Sequence, residues 1–220
     1  MNRQPAPSPK RARGRPSADG SEPRERLLDT ALALFARDGI RATSLRGIAQ
    51  GAGVTPAMLN YYFGDKPRLL DALLDERLLP LVHTLSARLQ DAGEAPLALA
   101  SALVQGIAST VRSHPWLPPL WVREILCDGG MLREPLISRA APLVPLLLAE
   151  RFAVAQQRGR LNPALDPRLL VVSLIGLSLL PYAAEPLWRP LFADPALGDD
   201  ALLRHTLGLL EHGLEVPDAP

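Results

Sequence analysis

Residues 43–64 contain two short segments in tandem, and these constrain the fold more than any other feature of this sequence. The first segment follows Thr43-Ser44, whose hydroxyls can cap a helix N-terminus, and a pair of glycines ends it. The second follows Thr55, with Pro56 in the first-turn position where a missing N–H costs nothing, and it also ends at a glycine. The pattern predicts two short helices joined by a glycine-containing turn, which is the layout of a helix-turn-helix.

The rest of the sequence also predicts helices. From Pro23 to Asp38 the apolar residues recur at helical spacing, and Asp65 caps a fourth helix that runs to about Gln90. Gly and Pro separate the later helices, and no run alternates like a strand. We therefore predict an all-α fold whose later helices cover about residues 95–113, 115–127, 135–158, 167–184 and 199–215.

Two further expectations concern these later helices, one from their prolines and one from the lack of a sequence repeat. Pro118-Pro119 should kink or split the 115–127 helix, because each proline lacks an N–H and disfavours helix in the residue before it. No internal repeat at a fixed period is visible, so a helical solenoid is not expected.

Charge is distributed unevenly along the chain. Residues 1–68 carry 12 Lys and Arg against 6 Asp and Glu, whereas residues 69–220 carry 12 against 17. A net charge of +6 at one end suits a polyanionic partner, because neutralising phosphates releases condensed counterions. We divide the chain into a disordered basic arm, a three-helix head, a helical body and a tail, at residues 1–21, 22–68, 69–216 and 217–220.

Several function classes are not expected from this sequence. The single cysteine, Cys127, excludes an internal disulfide framework and a multi-cysteine zinc site, and it fits a reducing cytoplasm. His205 and His212 are seven residues apart, too far for the chelating pair of a helical metal site. No nucleophile elbow, phosphate-binding glycine loop or paired-carboxylate motif is present, so neither an enzyme nor a cofactor is expected.

Targeting and membrane segments are likewise not expected. The basic, proline-rich start has no apolar stretch behind it, so it does not resemble a secretory signal. The longest apolar run, Leu169–Pro181, has 13 residues, whereas a membrane span needs about 20. This run is predicted to be a buried helix of a cytoplasmic protein.

The head resembles the TetR family of one-component repressors. The resemblance covers about 47 residues, and it departs from the family pattern at Tyr62, where many members carry histidine, and at Asn60, where tyrosine is common. The matching elements are Leu34-Phe35, Gly39, Thr43-Ser44, Ile48-Ala49, Ala52-Gly53-Val54 and Asn60-Tyr61-Tyr62-Phe63-Gly64-Asp65-Lys66.

The resemblance implies that this head binds DNA with the second helix of the motif in the major groove. Phosphate contacts are then expected from hydroxyl, amide and ammonium groups at Thr43, Ser44, Tyr61 and Lys66. Base-edge contacts are expected from Thr55, Pro56, Ala57, Met58 and Tyr62, with Arg46 nearby.

The predicted reading helix has no Arg or Lys between Thr55 and Phe63. It therefore cannot form the bidentate pairs that Arg makes with guanine, and methyl contacts and Tyr62 are expected to matter instead. The alternative for Tyr61 and Tyr62 is that both are simply packed aromatic residues.

The N-terminal arm adds a second candidate DNA contact. Arg13 and Arg15 belong to an Arg-Gly-Arg-Pro run that looks like the core of an AT-hook. Such a strip fits a narrow A·T-rich minor groove, where the potential is most negative. The alternative is a solvated basic tail that attracts phosphates without specificity.

The resemblance to this family also implies a ligand cavity among the central helices of the body. Glu124 shares a helical face with apolar residues, and one interpretation is that it orients a polar or cationic ligand. The alternatives are an exposed Glu at the edge of a core stripe and a pair with Arg123. Large apolar side chains at helical spacing could instead be plain core. The candidate pocket residues are Trp116, Trp121, Glu124, Cys127, Met131 and Phe152.

The family also implies a dimer formed by the last two helices. The 167–184 helix is apolar on nearly all faces and the 199–215 helix is over-supplied with leucine, with Gly176 and Gly208 permitting close approach. We expect a homodimeric repressor that binds a palindromic operator and leaves it when a small molecule binds. A non-inducible architectural DNA-binding protein remains as the alternative.

Overall fold

A computed structural model describes residues 21–140 and 142–214, and all regular secondary structure in these ranges is helical. The prediction of an all-α fold is confirmed. The N-terminal part contains α1 (Ser21–Asp38), α2 (Leu45–Gly51), α3 (Pro56–Phe63) and α4 (Lys66–Leu73). The remainder contains α5 (Leu79–Asp91), α6 (Pro96–Ser113), α7 (Leu117–Trp121), α8 (Arg133–Arg139), α9 (Leu147–Gln157), α10 (Pro167–Ala183), α11 (Glu185–Phe192) and α12 (Asp199–Leu214).

One long, continuous helical segment connects the head to the body. It comprises α4, a π-helical turn over Leu74–Leu78, and α5, as predicted for the fourth helix. The π turn directly precedes Pro80. In a regular α-helix this proline would lack its N–H bond and its ring would clash with the carbonyl four residues back. That carbonyl, on Glu76, instead accepts a hydrogen bond from Nη1 of Arg77 at 3.4 Å.

Two predictions about the proline-rich middle of the body were wrong. Pro118 and Pro119 do not split a helix but lie in the first turn of α7, where their missing N–H groups cost little. The single helix predicted over 135–158 is two helices, because the chain leaves helical geometry at Ala140 (φ −128°) and a π turn over Pro142–Leu146 precedes α9. Another π turn, over Val122–Leu126, directly follows α7.

No sequence pattern predicted α11, because its prolines are typical of helix breakers. Pro186 lies in its first turn, and Pro190 is tolerated inside it because the helix is short. Trp188 Nε1 donates to the Pro181 carbonyl at 2.7 Å and so holds α11 against the end of α10. Among the described residues no single helix is long and apolar enough to cross a membrane; α10 and α11 reach that length only as a pair bent by 66°.

The apolar core has two parts that meet at α7. In the head, α1 buries Leu28 and Phe35 against Ile48 and Leu59 of the next two helices. In the body, α6 is the central helix and packs against α5, α10 and α12. The head core does not stop at the predicted boundary after residue 68. It continues into the body through Leu69, Leu73, Leu74, Leu78, Leu120 and Leu132.

Ion pairs hold α1 against the π turn at the start of the body. Arg24 pairs with Glu76, and Arg77 pairs with Glu25 and with Asp29, the latter at 3.1 Å. Hydrogen bonds from Arg24, helped by its charge, lower the pKa of Glu76, and they outweigh the opposite effect of partial burial.

The lowered pKa of Glu76 predicts acid sensitivity. The folded state binds this proton less readily than the unfolded state, so the pair stabilises the fold above the ordinary pKa of 4.5 and its contribution is lost as the pH falls through the lowered value. Urea unfolding should give Glu76→Gln a lower free energy of unfolding than wild type at pH 7. The difference between the two proteins should shrink progressively as the pH falls below 4.5.

The control is Glu150→Gln, which changes an exposed carboxylate of α9. Its pH profile should follow that of the wild type. If the free energy of unfolding of Glu76→Gln ran parallel to that of the wild type as the pH falls, the lowered pKa of Glu76 would be contradicted.

Candidate DNA interface and ligand cavity

The helix-turn-helix is built by side-chain caps at the predicted positions. Ser44 Oγ accepts a hydrogen bond from the Gly47 N–H at 3.0 Å at the start of α2. Thr55 Oγ1 accepts one from the Met58 N–H at 3.2 Å at the start of α3. These caps satisfy N–H groups that the first turn of a helix leaves unpaired. They also orient both helix N-termini.

Thr43 and Ser44 play different parts, although both were predicted as caps. Thr43 is buried, and its hydroxyl donates to the Gly39 carbonyl at 2.8 Å, so Ser44 alone caps α2. Lys66 Nζ donates to the Thr43 carbonyl at 2.6 Å and therefore ties the start of α4 to the turn between α1 and α2. A phosphate contact from the hydroxyl of Thr43 would require that hydroxyl to leave its buried position.

The predicted base-reading residues share the exposed N-terminal part of α3. Thr55, Pro56, Ala57 and Met58 are all exposed, whereas Leu59 and Phe63 of the same helix are buried in the head core. This division follows from the helical period, since residues three to four apart occupy the same face. The exposed face of α3 is thus free to meet a partner, with exposed Arg46 on the neighbouring helix.

The two tyrosines at the end of α3 differ in exposure. Tyr61 is 84% exposed, and its ring meets that of Tyr62 edge to face with centroids 5.4 Å apart. Tyr62 is half-buried and packs partly against the head core. The packed-aromatic alternative therefore describes part of Tyr62 but not Tyr61. Arg13 and Arg15 lie outside the described residues.

A cavity of about 220 Å³ lies between the head-proximal and central helices of the body. Its walls come from α5 to α8, from the segment leading into α9, and from α10. Thr110 is the one lining residue, in the part of the chain that the structure describes, that carries a hydroxyl or a charged, amide or imidazole group. Representative lining residues are Leu85, Ile107, Trp121, Ile137, Val144 and Ile175.

Of the six predicted pocket residues, Trp121 lines this cavity and the others are placed elsewhere. Trp116 packs against the head core, and Phe152 is fully buried in the body core. Cys127 and Met131 are exposed, because they lie in the turn between α7 and α8 rather than on a helix. Within the described ranges, no three His, Cys, Asp or Glu side chains are gathered closely enough to hold a metal ion.

Glu124 joins the head to the body, which none of the three interpretations of this residue had predicted. It is 4% exposed, and its Oε1 accepts a hydrogen bond from the Ile40 N–H at 2.8 Å, in the turn between α1 and α2. Its Oε2 accepts one from the Met131 N–H at 3.1 Å. One buried carboxylate thus bonds the head on one side and the segment before α8 on the other.

The turn after Glu124 is tightly constrained. A Cβ on Gly130 would lie 2.3 Å from the Glu124 carbonyl oxygen, so no larger residue fits there without movement of the backbone. Arg133 closes the same turn, with its guanidinium donating to the carbonyls of Ile125, Leu126 and Cys127 at 2.6 to 2.8 Å. The segment from Glu124 to α8 is therefore held in one geometry.

A second connection links the cavity wall to the head. Ile137 and Leu136 of α8 line the cavity, while Arg139 of the same helix pairs with Asp71 and Asp75 at 2.7 and 2.9 Å. Asp71 belongs to α4, the helix that leaves the head. A displacement of α8 by a ligand would consequently act on α4.

The sequence did not predict most of the cavity-lining residues. It also did not predict the two connections between body and head, through Glu124 and through Arg139. Lining residues such as Leu103 and Ile107 lie on the apolar stripe of α6 and carry no signal that separates a cavity wall from plain core. Arg139 and its aspartates are 64 and 68 residues apart in sequence, so only the fold brings them together.

Sequence comparisons place these observations among known proteins. Residues 27–73 match the family model described as bacterial regulatory proteins, tetR family. The HTH-type transcriptional repressor KstR2 of Mycobacterium tuberculosis (strain ATCC 25618 / H37Rv) is 45% identical over 51 residues, which are 23% of this chain and 26% of KstR2. The HTH-type transcriptional regulator RutR of Escherichia coli (strain K12) is 29% identical over 161 residues, 72% of this chain and 73% of RutR. The chain thus spans about a quarter of the first relative and nearly three quarters of the second, and both are transcriptional regulators rather than enzymes.

Solved structures extend the likeness beyond the head. The ketosteroid transcriptional regulator KstR2 of Mycobacterium tuberculosis superposes with a TM-score of 0.70 at 23% identity, covering 90% of this chain and 97% of that one. AibR, solved in complex with isovaleryl coenzyme A and operator DNA, gives 0.69 at 24% identity, covering 86% and 97%. At these identities the likeness is one of fold, and it includes the body as well as the head.

Removing the Glu124 carboxylate should destabilise the protein strongly. Glu124→Ala leaves the N–H groups of Ile40 and Met131 without their acceptor, which should cost about 2–4 kcal/mol in the free energy of unfolding measured with urea. Glu124→Gln retains one acceptor oxygen but places an NH₂ against the other N–H, so it should cost less than alanine yet remain destabilising. The exposed control Glu150→Gln should change stability by less than about 0.5 kcal/mol; an equally small effect for Glu124→Gln would contradict the role of the buried carboxylate.

Proposed function

We propose that this chain, whose head matches the model of the tetR family of bacterial regulatory proteins, is a transcriptional repressor. It would bind a palindromic operator as a homodimer and leave it when a small molecule occupies the body. Its place of action would be the cytoplasm, where the bacterial chromosome lies. The observation that carries the proposal is the exposed, capped N-terminal part of α3 beside the capped α2.

The chemistry of α3 defines how it would read DNA. Pro56, Ala57 and Met58 offer methyl and methylene groups, which suit the thymine methyl rather than guanine. Ser44, Tyr61 and Lys66 are the residues for phosphate contacts, and the positive charge of the head supports attraction to the duplex. Specificity would thus come from apolar base contacts and Tyr62, with Arg46 and the Arg13–Arg15 arm as further contributors.

The homodimer is supported by an uncovered apolar face on α10. Leu169, Val172 and Leu180 are 60–66% exposed in the single chain, and Gly176 lies on the same face with no atom near its Cβ position. Leu209 of α12 is also exposed. A second copy of α10 and α12 packed on this face would bury these side chains in a four-helix interface. The two α3 helices of a dimer would then reach half-sites about one helical turn apart.

Release by a ligand is supported by the position of the cavity. Its wall includes α8, and the segment ending in α8 contacts the head region through Glu124 and through the pairs of Arg139. A ligand changes operator affinity only if it binds the DNA-bound and free arrangements with different affinity. A ligand that displaces α8 meets this condition, because the displacement strains both connections to the head. The alternative, a non-inducible architectural DNA-binding protein, does not account for this cavity.

The operator is testable by selecting bound fragments of the source genome, followed by binding assays on the selected site. We expect a two-fold symmetric site. Tyr61→Phe should weaken binding several-fold on all sequences, because it removes a phosphate contact, whereas Met58→Ala should change the preferred bases. Gln157→Ala, at an exposed position of α9, is the matched control and should leave binding unchanged. Recovery of no sequence-specific site would overturn the proposed function.

The dimer is testable by size-exclusion chromatography with light scattering at micromolar concentration. The wild type should elute with twice the chain mass of 23.8 kDa. Val172→Glu should shift the protein to the monomer, because the variant places charges in the apolar face of α10. Leu97→Glu, an exposed position on α6, should remain dimeric. A monomeric wild type would contradict the proposed interface.

A further inference from the structure

The cavity in the body has walls that select the chemistry of its occupant. Several helices and the turns between them contribute side chains to it. Leu103, Ile107, Val144 and Leu179 of the lining are buried, so much of the wall is shielded from water. Among the residues described, no charged side chain lines it. An ionised group placed against this wall would lose its hydration and gain no partner, which costs far more than a neutral polar group would lose.

Thr110 is the one hydroxyl in the wall, and it is already engaged. Its Oγ1 donates to the Gly106 carbonyl at 2.8 Å, so it has no hydrogen left to offer a ligand. A hydroxyl oxygen has two lone pairs and can still accept one hydrogen bond. Among the described side chains of the wall, Thr110 therefore provides one hydroxyl acceptor, the indole of Trp121 carries one N–H donor, and none is charged.

The size of the cavity limits the occupant further. An apolar protein cavity of about 150 Å³ holds benzene, which has six non-hydrogen atoms. In proportion, a cavity of 220 Å³ holds about six to nine such atoms. That is the size of one ring or of a short, branched acyl or alkyl group.

We infer that the effector places in this cavity an uncharged, mainly hydrocarbon group of about six to nine non-hydrogen atoms, carrying at most one hydrogen-bond donor, which faces Thr110. Any charged remainder of the effector stays outside the cavity. The inference rests on the proposed function for the role of the occupant as effector, whereas occupancy itself is a property of the protein alone.

Occupancy is measured by calorimetry on the full chain without DNA, using straight-chain alcohols as probes. Each added methylene from butan-1-ol onward should tighten binding about fourfold, which is the 0.8 kcal/mol of a buried CH₂ converted to affinity. The gain should stop at about octan-1-ol, because the cavity is then full. An unbroken gain through decan-1-ol would overturn the size limit.

Charge is tested by comparing probes of equal length. Hexan-1-ol should bind at least about 100-fold more tightly than hexanoate or hexylammonium at neutral pH. An ion with so short a chain cannot fill the cavity and keep its charge outside it, and the wall offers the charge no partner. Equal binding of either ion would overturn the inference. Thr110→Val should weaken hexan-1-ol about two- to tenfold and leave toluene unchanged, since toluene has no donor. An unchanged affinity for the alcohol would overturn the part assigned to Thr110.

The location is tested by filling the cavity. Ile107→Phe and, as a second variant, Ile175→Phe should abolish hexan-1-ol binding and the accompanying change in tryptophan emission, since Trp121 lines the same space. Leu97→Phe on the exposed side of α6 is the control and should bind as the wild type does. Folding of each variant is checked by circular dichroism, and undiminished binding in a folded, filled variant would overturn the location.

The two proposals fail separately. A chain that binds hexan-1-ol in this cavity but selects no operator would overturn the proposed function and leave the cavity chemistry standing. A chain that binds its operator but distinguishes neither charge nor length among the probes would overturn the inference and leave the proposed function standing.

Discussion

The buried carboxylate of Glu124 is the interaction on which the relation between head and body depends. A charge 4% exposed is tolerated only when its oxygens are paired, and here the partners are two backbone N–H groups from different parts of the chain. One partner, Ile40, follows the glycine that ends α1, and the other, Met131, begins the path to α8. The carboxylate thus fixes the distance between the turn of the head and the segment that covers the cavity.

The head and the body share apolar packing as well as this hydrogen-bond link. Leu120 and Leu132 of the body are buried in the same cluster as Phe35 and Ile40 of the head. Interiors are close-packed, so such a junction adopts discrete arrangements rather than deforming continuously. A change in the body is therefore expected to move the head as a unit.

The cavity and the exposed N-terminal part of α3 are chemically alike, since both present hydrocarbon surface with little charge. On α3 this surface is exposed and is offset by hydroxyl caps and a basic surrounding, which is consistent with groove contacts guided by phosphate attraction. In the cavity the same chemistry lines a recess between helices, and it disfavours ions for lack of partners. Arg139 connects the cavity to the start of the body next to the head, because it lies on α8 and pairs with Asp71 of α4.

The sequence by itself determined the helical fold and the helix-turn-helix, because capping residues, glycines and the helical period act over a few neighbouring positions. Ser44, Thr55 and Gly64 mark helix ends in the structure where the local pattern predicted them. Only the tertiary structure decided that Thr43 turns inward, that α11 forms despite two prolines, and which apolar residues line a cavity rather than a core. It also decided the role of Glu124, whose partner Ile40 is 84 residues away, since no local pattern specifies which distant N–H groups a buried carboxylate will meet.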